Sequence, residues 1–272
     1  VSDKPDIQPN AEQSLAMQWE SARRQLGEGC LSIIMPSYRL GEAIAGNIEH
    51  VRSVFEGYLP YEVIPVDDGS DDNTGQRLAE MAALHDNVRP VYLIENSGKG
   101  AALREGFAET KGNYVLLLDG DLDLPPSQVS GFFKILEDND ADVVIGSKRH
   151  RDSNLNYPLP RVIMSNLYYL LVKMLVGLPV RDTQTGIKLF KREVLSYVFP
   201  RMLVKRFAFD LEILSIAHEK GFSIAEAPIT LDFKCTGWGC ARPKTVRRII
   251  NDTLAIFYRL RILRYYQNLD VD

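Results

Sequence analysis

Tyr114-Val115-Leu116-Leu117-Leu118-Asp119-Gly120-Asp121-Leu122-Asp123 is the stretch on which the reading of this chain turns. Five apolar residues in a row describe a strand buried on both faces, as in a parallel sheet. The three acids that follow then stand at the strand's carboxyl end, where open α/β sheets bind ligands. Clustered carboxylates repel one another unless a cation or hydrogen bonds offset the repulsion. The pattern therefore predicts a metal site for a phosphate-bearing substrate. A calcium loop is excluded, because Leu124 and Ser130 occupy the places of its glycine and its terminal glutamate. A phosphatase-type nucleophile is disfavoured, since no hydroxyl stands at the following positions. A solvated acidic turn is the plain alternative, and the interleaved Leu122 and Leu124 with the stiff Pro125-Pro126 exit argue against it.

Outward from that stretch the chain alternates. Strands are predicted at Leu31–Met35, Tyr61–Val66, Val88–Ile94, Tyr114–Leu118 and Asp142–Gly146. Helices are predicted at Glu42–Phe55, Asn73–Leu84, Ala101–Lys111 and Ser127–Leu136. Strands alternating with helices of this length imply βαβ units. Beyond Gly146 come an apolar helix at Val162–Val176, a strand at Ile187–Phe190, a helix at Phe209–Lys220 and a strand-like Ser223–Phe233. An amphipathic Thr245–Tyr266 follows. Residues 1–28 read as a helical extension appended to the fold. Residues 29–235 read as one α/β domain with a first half at 29–147 and a second at 148–235, and 236–272 as a basic amphipathic segment.

The bulk properties suit a globular protein. The chain has 272 residues, 45% apolar and 25% charged, with a net charge of −4, which excludes a general polyanion binder and predicts no nucleic-acid partner. Three cysteines (Cys30, Cys235, Cys240) are too few for a disulfide framework and predict a reducing, cytoplasmic setting. Neither a signal-peptide pattern nor an apolar run of about 18 residues is found, so no leader and no spanning helix are expected.

Two further strand-end turns carry polar chemistry. In Val66-Asp67-Asp68-Gly69-Ser70, the serine and later residues can cap the next helix, but two acids at the strand end itself suit acceptance of N–H bonds from a nucleobase. Asn96-Ser97-Gly98-Lys99-Gly100 permits close backbone approach, with Lys99 able to meet a phosphate. Neither a P-loop nor the glycine fingerprint of dinucleotide binders is present. A nucleotidyltransferase would need a glycine-rich pyrophosphate loop after the first strand, and none stands there.

In this order, Pro36-Ser37-Tyr38, Val66 to Ser70, Asn96 to Gly100 and the aspartate cluster resemble the family-2 glycosyltransferases of the GT-A fold, closest to the polyprenyl-phosphate (dolichyl-phosphate) mannose and glucose synthases. The resemblance spans about residues 30–235 and extends to Gly146-Ser147-Lys148-Arg149, Pro160-Arg161 with Ser165, Asp182-Thr183-Gln184-Thr185-Gly186 and Pro228-Ile229-Thr230. It implies a Rossmann-like, mostly parallel central sheet flanked by helices, with C-terminal helices on the acceptor side. It implies that Pro36, Tyr38, Asp67 and Asp68 line the base and ribose pocket of a GDP- or UDP-sugar, approached by Lys99 and Arg104. Asp119, Gly120 and Asp121 would lie at the diphosphate, with Asp119, Asp121 and Asp123 holding Mg²⁺ or Mn²⁺. Arg149, Arg161, Ser165 and Lys234 would bind the phosphate of a polyprenyl-phosphate acceptor. The chain departs from the pattern at Arg39-Leu40, where relatives carry Asn and Glu, at Asp123 for Gln, at Lys234 for Arg and at Gly239 for Ser.

The resemblance further implies an inverting displacement. A saccharide-hydroxyl acceptor would need a base, for which Asp182 and Asp210 are candidates beside the catalytic Asp121. A lipid phosphate, with a second pKa of about 6, is already ionised and needs none. A non-catalytic sugar-nucleotide or head-group binder is the alternative of another class, and the intact acids oppose it. From Arg242 to Tyr266 seven basic residues face only Asp252, and apolar positions recur at helical spacing. Such a helix suits peripheral contact with the inner face of a membrane, or packing on its own domain or a second subunit.

Overall fold

The computed structural model describes residues 17–155, 159–231 and 243–268, with the side chains of residues 155, 159–163, 243 and 244 left aside. The element order is α1 (Glu20–Leu26), β1 (Leu31–Ser37), α2 (Ala43–Phe55), β2 (Tyr61–Asp67), α3 (Thr74–Leu84), β3 (Val91–Tyr92), α4 (Lys99–Ala108) and β4 (Tyr114–Leu118). A 3-10 turn at Pro126–Gln128 leads into α5 (Val129–Asp138), β5 (Val143–Ser147), β6 (Asn154–Leu155) and α6 (Leu159–Leu175). There follow β7 (Ile187–Lys191), α7 (Arg192–Val198), α8 (Phe209–Lys220), β8 (Ile224–Pro228), β9 (Thr230–Leu231) and α9 (Pro243–Phe257), which runs on as a π-helix over Tyr258–Ile262.

Seven strands form one sheet in the order β3-β2-β1-β4-β7-β5-β8. Every pairing in it is parallel except those of β7, which runs antiparallel to both β4 and β5. A small parallel pair, β6 with β9, stands apart. Burial on both faces explains the unbroken apolar runs. In β1, Leu31, Ile33 and Met35 enter the core under α1, α2, α3 and α5, while Ile34 points to the opposite core under α4, α7 and α8. The strand order reverses between β1 and β4, and the carboxyl ends of those two strands carry Pro36-Ser37 and Asp119. That is where a crevice opens in such sheets.

One expectation is corrected. The N-terminal helix is part of the core rather than an appendage. Trp19, Ala22 and Leu26 are buried against Phe55 and the α5 face, and Glu137 accepts from Ser21 and from both Nε and Nη2 of Arg24. The C-terminal segment packs on the domain through Thr253, Ile256, Leu260 and Tyr266, all buried, while Ile250, Leu254, Tyr258 and Ile262 face outward. The helix α7 was not foreseen, and the predicted third strand shrinks to two residues plus a bridge from Val63 to Val88. The strand-like Ser223–Phe233 divides into β8 and β9, and Phe233 lies outside the described residues. The two expected halves share one sheet, because β7 from the second inserts beside β4 of the first. Among the described residues no helix is long and apolar enough to cross a membrane. Cys30 is a free thiol, and Cys235 and Cys240 lie outside the described residues.

Candidate active site

The first wall of the crevice is built from the ends of β1 and β2. Tyr38 is exposed and stacks under the Arg39 guanidinium at 5.2 Å, and Arg39 forms a two-pronged pair with Asp71, both contacts 2.6 Å. The Arg39 amide donates to Ser70 Oγ at 3.0 Å, and the amides of Leu40 and Gly41 donate to Thr74 Oγ1. Arg39-Leu40 thus clamps the Tyr38 turn onto the loop after β2. The two acids of that loop have different jobs. Asp68 accepts from the amides of Ser97 at 2.8 Å and Gly98 at 3.0 Å and from Asn96 Nδ2 at 3.2 Å. Burial pushes its carboxyl up, and the two amides pull it back. Asp68 is therefore an organiser of the next turn. Asp67 accepts only the Ser70 amide among the described residues, at 3.0 Å, which leaves one oxygen for a ligand.

The second wall is the turn into α4. Gly98 holds φ +100°, which an L side chain resists, and a Cβ there would meet the Lys205 carbonyl at 2.6 Å. Lys99 opens the helix and pairs with Asp119, its ammonium 5.6 Å from the Phe209 ring. Burial opposes the Lys99 charge, but Asp119, Asp210 and Asp121 outweigh it and raise its pKa. Arg104 lies farther along α4, and its polar partner among the described residues is Glu105 at 3.3 Å. It is not brought to the aspartates.

The floor is the opening stretch. The Asp119 amide donates to the Gly186 carbonyl at 3.0 Å, joining the cluster to the 182–186 loop. A Cβ on Gly186 would sit 2.5 Å from the Asp119 carboxylate, so a side chain there would push that carboxylate aside. Gly120 packs on the Pro36 carbonyl with its own carbonyl held by Asn47 Nδ2 at 2.8 Å. Asp121 makes no direct ion pair among the described residues, feels the Lys99 charge only at a distance, and accepts only the Asp123 amide, at 3.3 Å. Its carboxyl is raised by partial burial and by repulsion from Asp119 and Asp123. Of the expected metal ligands, Asp119 is engaged by Lys99 while Asp121 and Asp123 are both exposed, and among the described residues no three such side chains converge. Asp121, an exposed carboxylate with no ion pair of its own beside Asp119, fits a divalent cation completed by substrate phosphates and water.

Across the crevice, Arg149 follows β5 and is fixed by α6. It donates to Asn166 Oδ1 at 2.6 Å and Ser165 Oγ at 2.9 Å, and stacks 4.8 Å from the Tyr169 ring centre. Asp182 shares this cleft, its oxygens accepting from the amides of Lys148 at 3.0 Å and Gln184 at 3.1 Å. Arg161 falls one helical turn before Ser165 on α6; its side chain, and Lys234 altogether, lie outside the described residues. Asp210, the other candidate base, is buried at the start of α8 with Lys188 Nζ at 2.6 Å. Burial pushes its pKa up, while Lys188 and Lys99 pull it down. Lys188 itself was overlooked; a lysine alone among Ile187, Leu189 and Phe190 was the available signal.

Residues 32–199 match the model of glycosyl transferase family 2. The dolichyl-phosphate beta-glucosyltransferase of Dictyostelium discoideum is 33% identical over 216 residues, covering 73% of this chain and 65% of that protein. The Homo sapiens protein of the same name is 32% identical over 226 residues, covering 78% and 68%. The chain thus spans about two thirds of the length of these relatives. Glucosyl-3-phosphoglycerate synthase from Mycobacterium tuberculosis, solved with Mn²⁺, UDP and phosphoglyceric acid, superposes with a TM-score of 0.66 at 20% identity, over 89% of this chain and 82% of that one. The architecture is the GT-A fold. With its strand-end turns in the family's order and more than half its length matched, the chain belongs to glycosyl transferase family 2.

Proposed function

We propose that this protein is an inverting glucosyltransferase that passes glucose from UDP-glucose to a polyprenyl phosphate of the dolichyl type. The observation that carries the acceptor is Arg149, held by Asn166 and Ser165 on a helix whose Met164, Leu167, Leu170 and Met174 are exposed. A planar guanidinium suits phosphate oxygens, and the apolar face beside it suits a lipid chain. The names of the relatives support glucose and dolichyl phosphate, and the Mn²⁺ and UDP of the structural neighbour support the donor and the ion.

In this reading Asp67 receives the base through its free oxygen, and Tyr38 lies at the rim of the nucleotide pocket. Asp121 holds the ion together with the donor's phosphates. A divalent cation there would neutralise the charge that develops on the departing nucleoside diphosphate. Lys99, kept charged by Asp119 and Asp210, adds a second positive group at the same place. A phosphate oxygen of the acceptor forms the new bond to the anomeric carbon. The bond to the nucleotide breaks, and its electron pair leaves with UDP. An acceptor whose second pKa is about 6 arrives ionised, so no strong base is required. Asp182 then ties the turn after β5 to the 182–186 loop and orients the sugar rather than taking a proton.

The α6 face continues onto α9, since Tyr168 Oη lies 3.2 Å from Thr253 Oγ1 and Ile250, Leu254 and Tyr258 are exposed. With exposed Arg247 and Arg248 alongside, this surface supports peripheral seating on an anionic membrane. The test is a donor screen with radiolabelled UDP-glucose and GDP-mannose against a short polyprenyl phosphate. Organic-phase label from UDP-glucose, lost in Arg149→Met, is expected. Label confined to the aqueous phase would overturn the lipid acceptor, and transfer from GDP-mannose alone would overturn the donor.

A further inference from the structure

Glu212 is fully buried, carries four hydrogen bonds and takes no part in the chemistry above. Its Oε2 accepts the amides of Leu203 at 3.0 Å and Val204 at 2.6 Å. Its Oε1 accepts Tyr266 Oη at 2.5 Å and Arg259 Nη2 at 3.0 Å, and Arg259 Nε also donates to Tyr266 Oη at 2.9 Å. One carboxylate therefore joins the loop before α8 to the segment that follows α9.

That loop reaches the donor turn directly. The Lys205 carbonyl accepts the amides of Gly100 at 2.9 Å and Ala101 at 3.3 Å, which are otherwise free at the start of α4. Arg206 Nη2 donates to the Asn96 carbonyl at 2.9 Å, and Nη1 to Asn96 Oδ1 at 3.2 Å. The contact has no slack: a Cβ on Gly100 would lie 2.9 Å from the Val204 carbonyl. On its other side the same turn is held by Asp68. The nucleotide turn is thus gripped between Asp68 and the 203–206 loop, and Glu212 is what anchors that loop.

We infer that Glu212 is a positioning residue that couples the seating of the C-terminal segment to the shape of the donor-nucleotide turn, Asn96–Ala101. The chain of contacts runs from Tyr266 and Arg259 through Glu212 to the Leu203 and Val204 amides, then through Lys205 and Arg206 to the turn. The consequence for donor binding rests on the donor reading proposed above; the coupling itself does not.

Tyr266→Phe removes one donor to Glu212 without touching the turn, and Glu212→Gln replaces one of its two accepting oxygens by an amide nitrogen. Hydrogen–deuterium exchange should speed up in both Leu203–Arg206 and Asn96–Ala101 in each variant, while α2 and α5 are unaffected. The KM for UDP-glucose should rise roughly tenfold, the scale of one charge-assisted hydrogen bond, with kcat within about a factor of two. The KM for polyprenyl phosphate should not change. Faster exchange at 203–206 with an unaltered 96–101 turn would overturn the coupling, as would a uniform rise across the whole chain. Should Tyr266→Phe alone leave exchange unaltered, Glu212→Gln decides, and normal exchange there overturns the proposal. Failure of the wild type to bind UDP-glucose would overturn the donor reading and leave the exchange result standing.

Discussion

Replacing Lys188 by methionine strands the Asp210 carboxylate inside the protein. Lys188 sits in an otherwise apolar strand, the pair is separated by 2.6 Å, and the two side chains are 3% and 10% exposed. Removing one partner of such a pair costs about 3–5 kcal/mol, because the remaining charge, out of water, has lost its bonded counter-ion and keeps only the more distant Lys99. At roughly 2.1 cal/mol/K per residue, a chain of this length unfolds with an entropy of about 0.6 kcal/mol/K, so the midpoint should fall by roughly 5–9 °C. The loss should also depend on pH. Burial already lifts the Asp210 carboxyl, and without Lys188 to pull it down the group rises further. The folded variant then binds that proton more tightly than the unfolded chain, whose aspartates titrate near ~3.9. Its deficit is therefore largest above the raised folded-state pKa and shrinks as the pH falls through it. Thermal unfolding of variant and wild type, compared at about pH 7.5 and about pH 5.5, should show the gap narrowing on acidification. Lys188→Met combined with Asp210→Leu removes both charges and should recover most of the loss. A single variant within about 1 °C of wild type would refute the reasoning, as would a double variant no better than the single.

Three further outcomes follow from the geometry. Asp121→Asn should lower glucosyl transfer by roughly a hundredfold or more and abolish Mn²⁺ binding followed by electron paramagnetic resonance; in the wild type, where the Asp121 carboxyl is raised, metal binding should weaken on acidification at a higher pH than an ordinary aspartate would give. Gly186→Ala, whose new methyl would lie 2.5 Å from the Asp119 carboxylate and push it aside, should weaken UDP binding by calorimetry while the circular dichroism spectrum is retained. Trp19→Ala, which empties a site only 3% exposed between Phe55 and Tyr58, should cost about 3–5 kcal/mol in urea unfolding; a loss under about 1 kcal/mol would return α1 to the status of an appendage.

Much of the architecture was legible because it is written in local periodicity. The apolar runs at Leu31, Tyr61 and Tyr114 became central strands, and the polar turns that end them became the crevice walls. Phe209–Lys220 was readable as a helix to the residue, since its last turn ends at Gly221 in the left-handed conformation. What could not be read depends on partners distant in sequence. Asp67 and Asp68 are neighbours of one type, yet only tertiary placement gives one a free oxygen and engages the other with the Asn96–Gly98 turn. Asp210 reads as an available acid until Lys188, 22 positions earlier, is found against it. The antiparallel direction of β7 has no signature in Ile187–Lys191, because a buried strand looks alike in either direction. The amphipathic spacing of α9 likewise announces an apolar face without saying that Ile256 enters the core while Leu254 remains outside.

The insertion of β7 between β4 and β5 bears on how the protein is made. β1, β2 and β4 can pair as soon as residue 118 has been synthesised, but the far edge of β4 has no partner until β7 arrives about 70 residues later. At about 5–20 residues per second, an apolar strand edge stands open on the ribosome for roughly 4–14 s. During that interval the nascent chain carries a template for misplaced pairing. Expression yield, more than the stability of the finished enzyme, should therefore respond to translation speed between Asp119 and Ile187.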